Sequence, residues 1–315
     1  MLKKKILKLL KSLLKIVLPL IFKILIKIKL NRRVINFLQD RSYNSNNFYD
    51  FTKTIKNILD DKKILALDVG AQGGFNSDGF FSKKYNTFFE DILIEPITAE
   101  AEKLKNKKYI LNKGVWSKKD RKKLFILDNR LGSSSMYEPD KNNFDLHNIR
   151  EDEYNKYDVT RTVDIECDSI NNLLMELDIK NLDYLKIDTQ GAELEILNGI
   201  GNYRPLLIKI ETHIFSMYKD VPSWHKLLNL LYELDYVVID WKTIGKHNSR
   251  VPAEMDMILI PNFNNNTGKN LIINSKEKFI SLMLIFGQLN LLKLILKRFH
   301  IDKKDLEKFE DLYFN

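Results

Sequence analysis

Two acidic residues in one short run are spaced as a site that handles a hydroxyl group would need. The run reads Tyr184-Leu185-Lys186-Ile187-Asp188-Thr189-Gln190-Gly191-Ala192-Glu193-Leu194-Glu195. The residues before Asp188 read as a strand and those after Gly191 as a helix. Asp188 therefore falls at a strand's carboxyl end and Glu193 in the first turn of the next helix. Ligands of open α/β sheets bind in the crevice outside the strand ends. A carboxylate there can hold a substrate hydroxyl, take its proton or bind a cation such as Mg²⁺. Glu193 also suits the plainer role of a favourable charge at a helix start. A second cluster, Glu211-Thr212-His213, follows the apolar run Leu206–Ile210. An imidazole that titrates near neutral pH suits proton transfer, and it suits equally a structural bond to Glu211. The catalytic candidates are Asp188, Glu211 and His213.

A glycine turn lies far upstream of these acids. Ile64–Val69 reads as a strand and leads into Gly70-Ala71-Gln72-Gly73-Gly74, where the backbone can turn tightly and a ligand can approach the main chain. The next strand candidate, Ile92–Ile94, ends in Glu95-Pro96, and Glu95 lies 25 residues after Gly70. In nucleotide-binding βαβ units an acidic residue at about this distance, roughly twenty residues on, accepts hydrogen bonds from a ribose diol. The patterns G-x-G-x-x-G, G-x-x-x-x-G-K-[ST] and G-x-S-x-G are absent, which argues against dehydrogenase, NTPase and serine-hydrolase chemistry. A turn with Asp68 two residues before its first glycine suits S-adenosylmethionine, a cofactor with no pyrophosphate to cradle.

Alternation of short apolar runs with helical stretches positions these groups. Further strands are expected at Tyr109–Leu111, Lys123–Leu127, Tyr236–Ile239 and Met255–Ile260. Helices are expected at Phe51–Leu59, Ser169–Leu177, Ala192–Asn198 and Ser223–Leu234. Such alternation predicts a mostly parallel sheet, doubly wound with helices on both faces. A long polar insertion from Gly132 to Tyr157 is the candidate for the acceptor site, since long loops of α/β enzymes form substrate lids. Asn262–Asn270 reads as a linker. The uncharged run Phe279–Leu292 reads as a helix that packs on the body or on a second subunit, the expected route to any oligomer, with membrane contact as the alternative.

The net charge of +9 has a local origin: residues 1–30 hold nine lysines and no acid, leaving 42 basic against 42 acidic residues elsewhere. A formally neutral body makes a nucleic-acid-binding role unexpected. The longest uncharged run in that segment, Ile16–Phe22, falls far short of the ~20 residues that span a bilayer. The segment is expected to lie on an anionic membrane surface as a basic amphipathic helix. Cys167 is the one cysteine and no His/Cys cluster has metal-ligand spacing, so no metal site is expected and the compartment is a reducing one.

Together these residues resemble the FkbM-type S-adenosylmethionine-dependent methyltransferases. The resemblance rests on Leu185–Gly199 (a strand L-K-I-D and a Gln-Gly-Ala-Glu-Leu-Glu helix), Asp68–Gly74, Glu95-Pro96, Asn112–Ser117, and Arg204-Pro205 before Leu206–His213. It covers about Lys63 to Pro261. It implies a Rossmann-like class I α/β fold and methylation of a hydroxyl oxygen on a sugar, glycan or polysaccharide. Asp68, Gly70, Ala71 and Gly73 would then surround the methionine moiety of the cofactor. Glu95 would hold the ribose, and Gly114 and Val115 would lie beside the adenine. Gln190 stands where the family more commonly has Glu. The expected organisation is a membrane-surface helix (1–35), a connector helix (36–62), a methyltransferase domain (63–262) and a helical tail (263–315). The expected location is the cytoplasmic face of a membrane. The contrasting expectation is a tethered module of the same fold that binds a partner without catalysis.

Overall fold

The computed structural model describes residues 50–147, 149–243 and 253–299. The basic segment 1–30 lies outside them. The chain divides into two units, residues 62–77 with 87–279, and residues 1–61 with 78–86 and 280–315.

The larger unit is a mixed seven-stranded sheet. Its strands are β1 (Ile64–Val69), β2 (Phe89–Ile94), β3 (Tyr109–Leu111), β7 (Tyr184–Ile187), β8 (Leu207–His213), β9 (Tyr236–Thr243) and β10 (Glu254–Pro261), in spatial order β3-β2-β1-β7-β8-β10-β9. The first five are mutually parallel, and β10 runs antiparallel to both of its neighbours. The sheet is mostly parallel, and this edge makes it mixed. Only ten residues, 244–253, join β9 to β10. A parallel return needs a dozen or more, so the chain turns back as a hairpin and β10 enters between β8 and β9.

Side chains alternate across a strand, and the register sorts them cleanly. Leu67, Val69, Leu185, Ile187, Ile208, Ile210, Met255, Met257 and Leu259 share one apolar cluster. Ile170, Leu173 and Leu174 of α3 (Ile170–Glu176), Ile196 and Leu197 of α4 (Glu193–Asn198), and Leu227 and Leu231 of α5 (Trp224–Glu233) complete it. These helices carry apolar residues at three- and four-residue spacing, and Ser169 caps α3 by accepting from the Asn172 amide. The opposite face carries the register row Asp68, Lys186, Lys209, then Glu211 opposite Asp256 and His213 opposite Glu254.

A second sheet, β4 (Gly114–Val115), β6 (Arg161–Asp168) and β5 (Asp120–Ile126), packs Leu124, Ile126, Ile165 and Cys167 with Ile97. The short helix α2 (Thr98–Lys103) follows β2. Strands β4 and β6 and helix α2 were not expected from sequence. The insertion is ordered into three 3-10 turns, Asp128–Ser133, Lys141–His147 and Glu151–Tyr157. Its Phe144 and Tyr157 cluster with Met217 and Tyr218 of the segment after β8. The expected linker is corrected as well: Asn265 caps a helix, α6 (Asn266–Asn274), by accepting from the Gly268 amide at 2.8 Å. The run Phe279–Leu292 is split between α7 (Lys276–Ile285) and α8 (Leu289–Arg298), with Gly287 at φ +71° between them.

In the smaller unit α1 (Thr52–Leu59) buries Ile55 and Leu59, and Phe80 and Phe81 pack on the ring of Phe286. Among the described residues no helix is long and apolar enough to cross a membrane.

Candidate functional site

The turn after β1 and the segment after β7 meet because of one missing side chain. Gly70 has φ +81°, and a Cβ on it would stand 2.0 Å from the carbonyl oxygen of Asp188. Only glycine fits there. The amides of Gly70 and Ala71 both lie 3.1 Å from the Ile94 carbonyl, and the Asp188 amide donates to Val69. The glycine turn, Glu95 and Asp188 thus gather at the carboxyl ends of adjacent strands. Gly73 and Gly74 continue the turn at φ +77° and +90°.

Glu95 is buried, and its Oε1 accepts from the Ile97 amide at 2.8 Å. Burial pushes its carboxyl up to about 7 against the opposing Ile97 bond, with the nearby charges of Glu100 and Asp68 adding to the rise. Asn112 fixes the loop by donating to the carbonyls of Glu95 and Pro96. Beyond Pro96 opens a cleft of about 520 Å³, lined by Ile97, Asn112, Leu124, Ile126, Val163 and Ile165 among others.

Two of the expected cofactor residues lie in the second sheet. Gly114 and Val115 are buried in β4, and the space beside the Gly114 α-carbon is filled by Cys167, Met136 and Ile165. The open cleft is lined instead by the residues that follow Glu95 and by β5 and β6. Asp68 has no exposed surface either. It is ion-paired within the sheet to Lys186 at 3.0 Å, with exposures of 0% and 6%. The Lys186 ammonium also stands 3.7 Å from Asp188 Oδ2, so Asp68 can act on the site through that lysine.

The three expected catalytic residues lie on neighbouring strands, but in different states. Asp188 keeps 24% of its side chain exposed. Glu211 is half-buried, and desolvation followed by the charge of Asp188 raises its carboxyl well above the ordinary range. One residue joins them: the Gln190 side-chain nitrogen donates to Asp188 Oδ1 at 3.2 Å and Glu211 Oε1 at 3.0 Å. His213 is buried and paired through Nε2 with Glu254 Oε1 at 3.1 Å. Burial opposes its charge, but the hydrogen bond to Glu254 and the charges of Glu254, Glu193 and Asp188 outweigh burial and raise its pKa. Glu254 shifts down, its burial outweighed by the His213 bond and charge. The shift favours the charged form of the ring, and the Glu254 pairing holds His213 Nε2 inside an acidic cluster. Glu193 accepts from the Gly191 amide and the Thr189 hydroxyl, so it braces the turn.

Sequence reasoning missed Glu254, Tyr218 and Ser135. The Tyr218 hydroxyl lies 3.0 Å from Gln190 Oε1 and 2.8 Å from the Ser133 carbonyl, and Ser135 donates to the Gln190 carbonyl at 2.7 Å. A signal for Glu254 was present in the alternation Glu254-Met255-Asp256-Met257, which puts two acids on one strand face. Nothing in the insertion's composition marks Ser135. Among the described residues no group of three or more His, Cys, Asp or Glu side chains is placed to hold a metal ion.

A model of the methyltransferase FkbM domain matches residues 68–238, more than half of the chain. No curated protein matches it.

Proposed function

The chain belongs to the FkbM methyltransferase family, and on that premise we propose that it is an S-adenosylmethionine-dependent O-methyltransferase acting on a hydroxyl of a sugar, glycan or glycolipid. The observation that carries this reading is the meeting of the Gly70–Gly74 turn, Glu95 and the Asp188–Glu211 pair at adjoining strand ends. The residues fit the cofactor. Desolvation pushes the buried Glu95 carboxyl up to about 7 although the Ile97 amide donates to it, and ribose hydroxyls would add donors that favour its ionised form. The 520 Å³ cleft that begins at Pro96 is within the roughly 300–1,000 Å³ usual for small-molecule sites, and its lining pairs apolar Ile97, Leu124 and Ile126 for an adenine ring with polar Asn112, Arg161 and Asp164.

Bound S-adenosylmethionine supplies a methyl group already activated on a sulfonium. What remains for the protein is to hold the acceptor oxygen in line and take its proton. Asp188 is the group for that proton, being the exposed carboxylate of the pair. The ordered insertion, bound to the segment after β8 through Asp140 to Met217 and Lys219 to Glu138, forms the acceptor side. The nine lysines of residues 1–30 support an acceptor presented at an anionic membrane surface, with the enzyme on its cytoplasmic face.

The test is thermal unfolding with and without S-adenosylhomocysteine. At 100 times its Kd the ligand should stabilise the protein by roughly 2.7 kcal/mol. No shift would favour a non-catalytic binding module instead.

A further inference from the structure

Gln190 is built as though its orientation were the purpose. Its backbone stands at φ +59°, a strained setting for a residue with a side chain, and Gly191 follows at +116°. It is 9% exposed. Both N–H bonds of its amide are used on carboxylates from adjoining strand ends, its side-chain oxygen faces Tyr218, and its carbonyl accepts from Ser135. The contacts fix the amide's orientation: its nitrogen faces Asp188 Oδ1 and Glu211 Oε1, and its oxygen faces the Tyr218 hydroxyl. A Glu at this place would set a third acceptor between two others, and an apolar residue would leave both acids without their shared donor.

We propose that Gln190 is a positioning residue that clamps Asp188 and Glu211 into one proton-accepting pair facing the acceptor hydroxyl. The inference rests on reading the site as that of a hydroxyl methyltransferase. On transfer the methyl–sulfur bond of the donor would break as the methyl–oxygen bond forms, S-adenosylhomocysteine would leave with the sulfur's electron pair, and the proton released from the acceptor O–H would bond to the Asp188 carboxylate. Glu211, held on the same amide, is the second member across which the charge is shared. The charged and titratable groups around the pair are Lys186 from β7, Lys209 and His213 from β8, Glu254 and Asp256 from β10, Glu193 from α4, and Tyr218. Removing the amide takes hydrogen bonds from the ionised forms, which raises the pH at which the pair gives up its proton.

The experiment follows the infrared carbonyl stretch of protonated carboxyl groups across pH in the full chain, with Glu211→Gln to assign the band. Wild-type protein should hold a carboxylic acid at neutral pH that Glu211→Gln lacks. Gln190→Met should raise its midpoint by about one pH unit, a tenfold change in proton affinity. Gln190→Glu, of nearly the same volume, should add a second protonated carboxyl. S-adenosylhomocysteine affinity, measured by calorimetry, should stay within about threefold of wild type in both variants, because the glycine turn and Glu95 are untouched. A folded Gln190→Met protein with an unmoved midpoint overturns the proposal. Failure of both variants to fold also overturns it, by making Gln190 structural. If wild-type protein binds no S-adenosylhomocysteine while the midpoint moves as expected, the methyltransferase reading fails and the clamp stands.

Discussion

The sheet face that carries Leu67, Leu185 and Ile208 and the face that carries Asp68, Lys186 and Lys209 are equally buried, yet they are built from opposite materials. Strands at the centre of a parallel sheet are usually apolar on both sides. Here β7 and β8 read Leu-Lys-Ile-Asp and Ile-Lys-Ile-Glu, so each sends lysine and acid to one side only. The apolar face is a packing surface for α3, α4 and α5. The charged face holds two buried ion pairs, Asp68–Lys186 and Lys209–Asp256, in line with the acids of the site. Buried pairs of this kind stabilise little, because desolvation offsets their attraction. The difference teaches that the charged face is kept for the site it supports rather than for stability.

The sharpest way to break that comparison is Lys186→Met. It removes the ammonium paired with the buried Asp68 carboxylate and should cost about 3–5 kcal/mol in urea unfolding. Adding Asp68→Leu should return stability to wild type or above it, while S-adenosylhomocysteine binding or Asp188 chemistry does not recover. If the double variant stays as unstable as the single one, the charged face is structural after all. On the apolar side, Leu185→Ala should cost about 2–5 kcal/mol through a cavity, with ligand affinity in the folded fraction unchanged. A selective loss of affinity there would erase the distinction between the faces.

Glu95→Ala should weaken S-adenosylhomocysteine binding by about 1.5–3 kcal/mol, the range for a hydrogen bond to a charged group. Unchanged affinity in calorimetry removes Glu95 from the ribose role. The smallest effect concerns protons. Glu95 sits at about 7 when folded, above its ordinary value, so its contribution to stability is present at low pH and is lost as pH rises through 7. Ribose hydroxyls favour the ionised form. Ligand binding should therefore release a proton below pH 7, with affinity rising up to tenfold per pH unit and levelling above 7. Calorimetry in two buffers of different ionisation heat reads that proton, and Glu95→Gln should abolish it.

What the sequence made legible follows from these same faces. Ile64–Val69, Tyr109–Leu111 and Tyr184–Ile187 are found at their expected bounds because apolar runs with sharp polar ends leave one solution. Strand β6 escaped notice because three of its first six residues are charged, and only Ile165 and Cys167 point inward near its end. β8 runs on through His213, since Glu211 and His213 face the charged side and read from sequence as the strand's end. The partners of the site, Glu254 and Tyr218, arrive through an antiparallel insertion and a side-chain cluster, which are long-range facts that local pattern does not carry. Gln190 was seen as a departure from family habit; its role needed the distances.

The place of β10 also sets an order of assembly. It is the last strand of the sheet to be synthesised but lies second from the edge, between β8 and β9. A nascent chain that has just completed β9 therefore has a core strand, β8, with an open edge, Lys209 without Asp256 and His213 without Glu254. Such an edge invites pairing with another chain. Until about residue 261 leaves the ribosome, the sheet cannot close, and a fragment cut at the end of the family match, residue 238, should be recovered as aggregate rather than as a smaller folded enzyme.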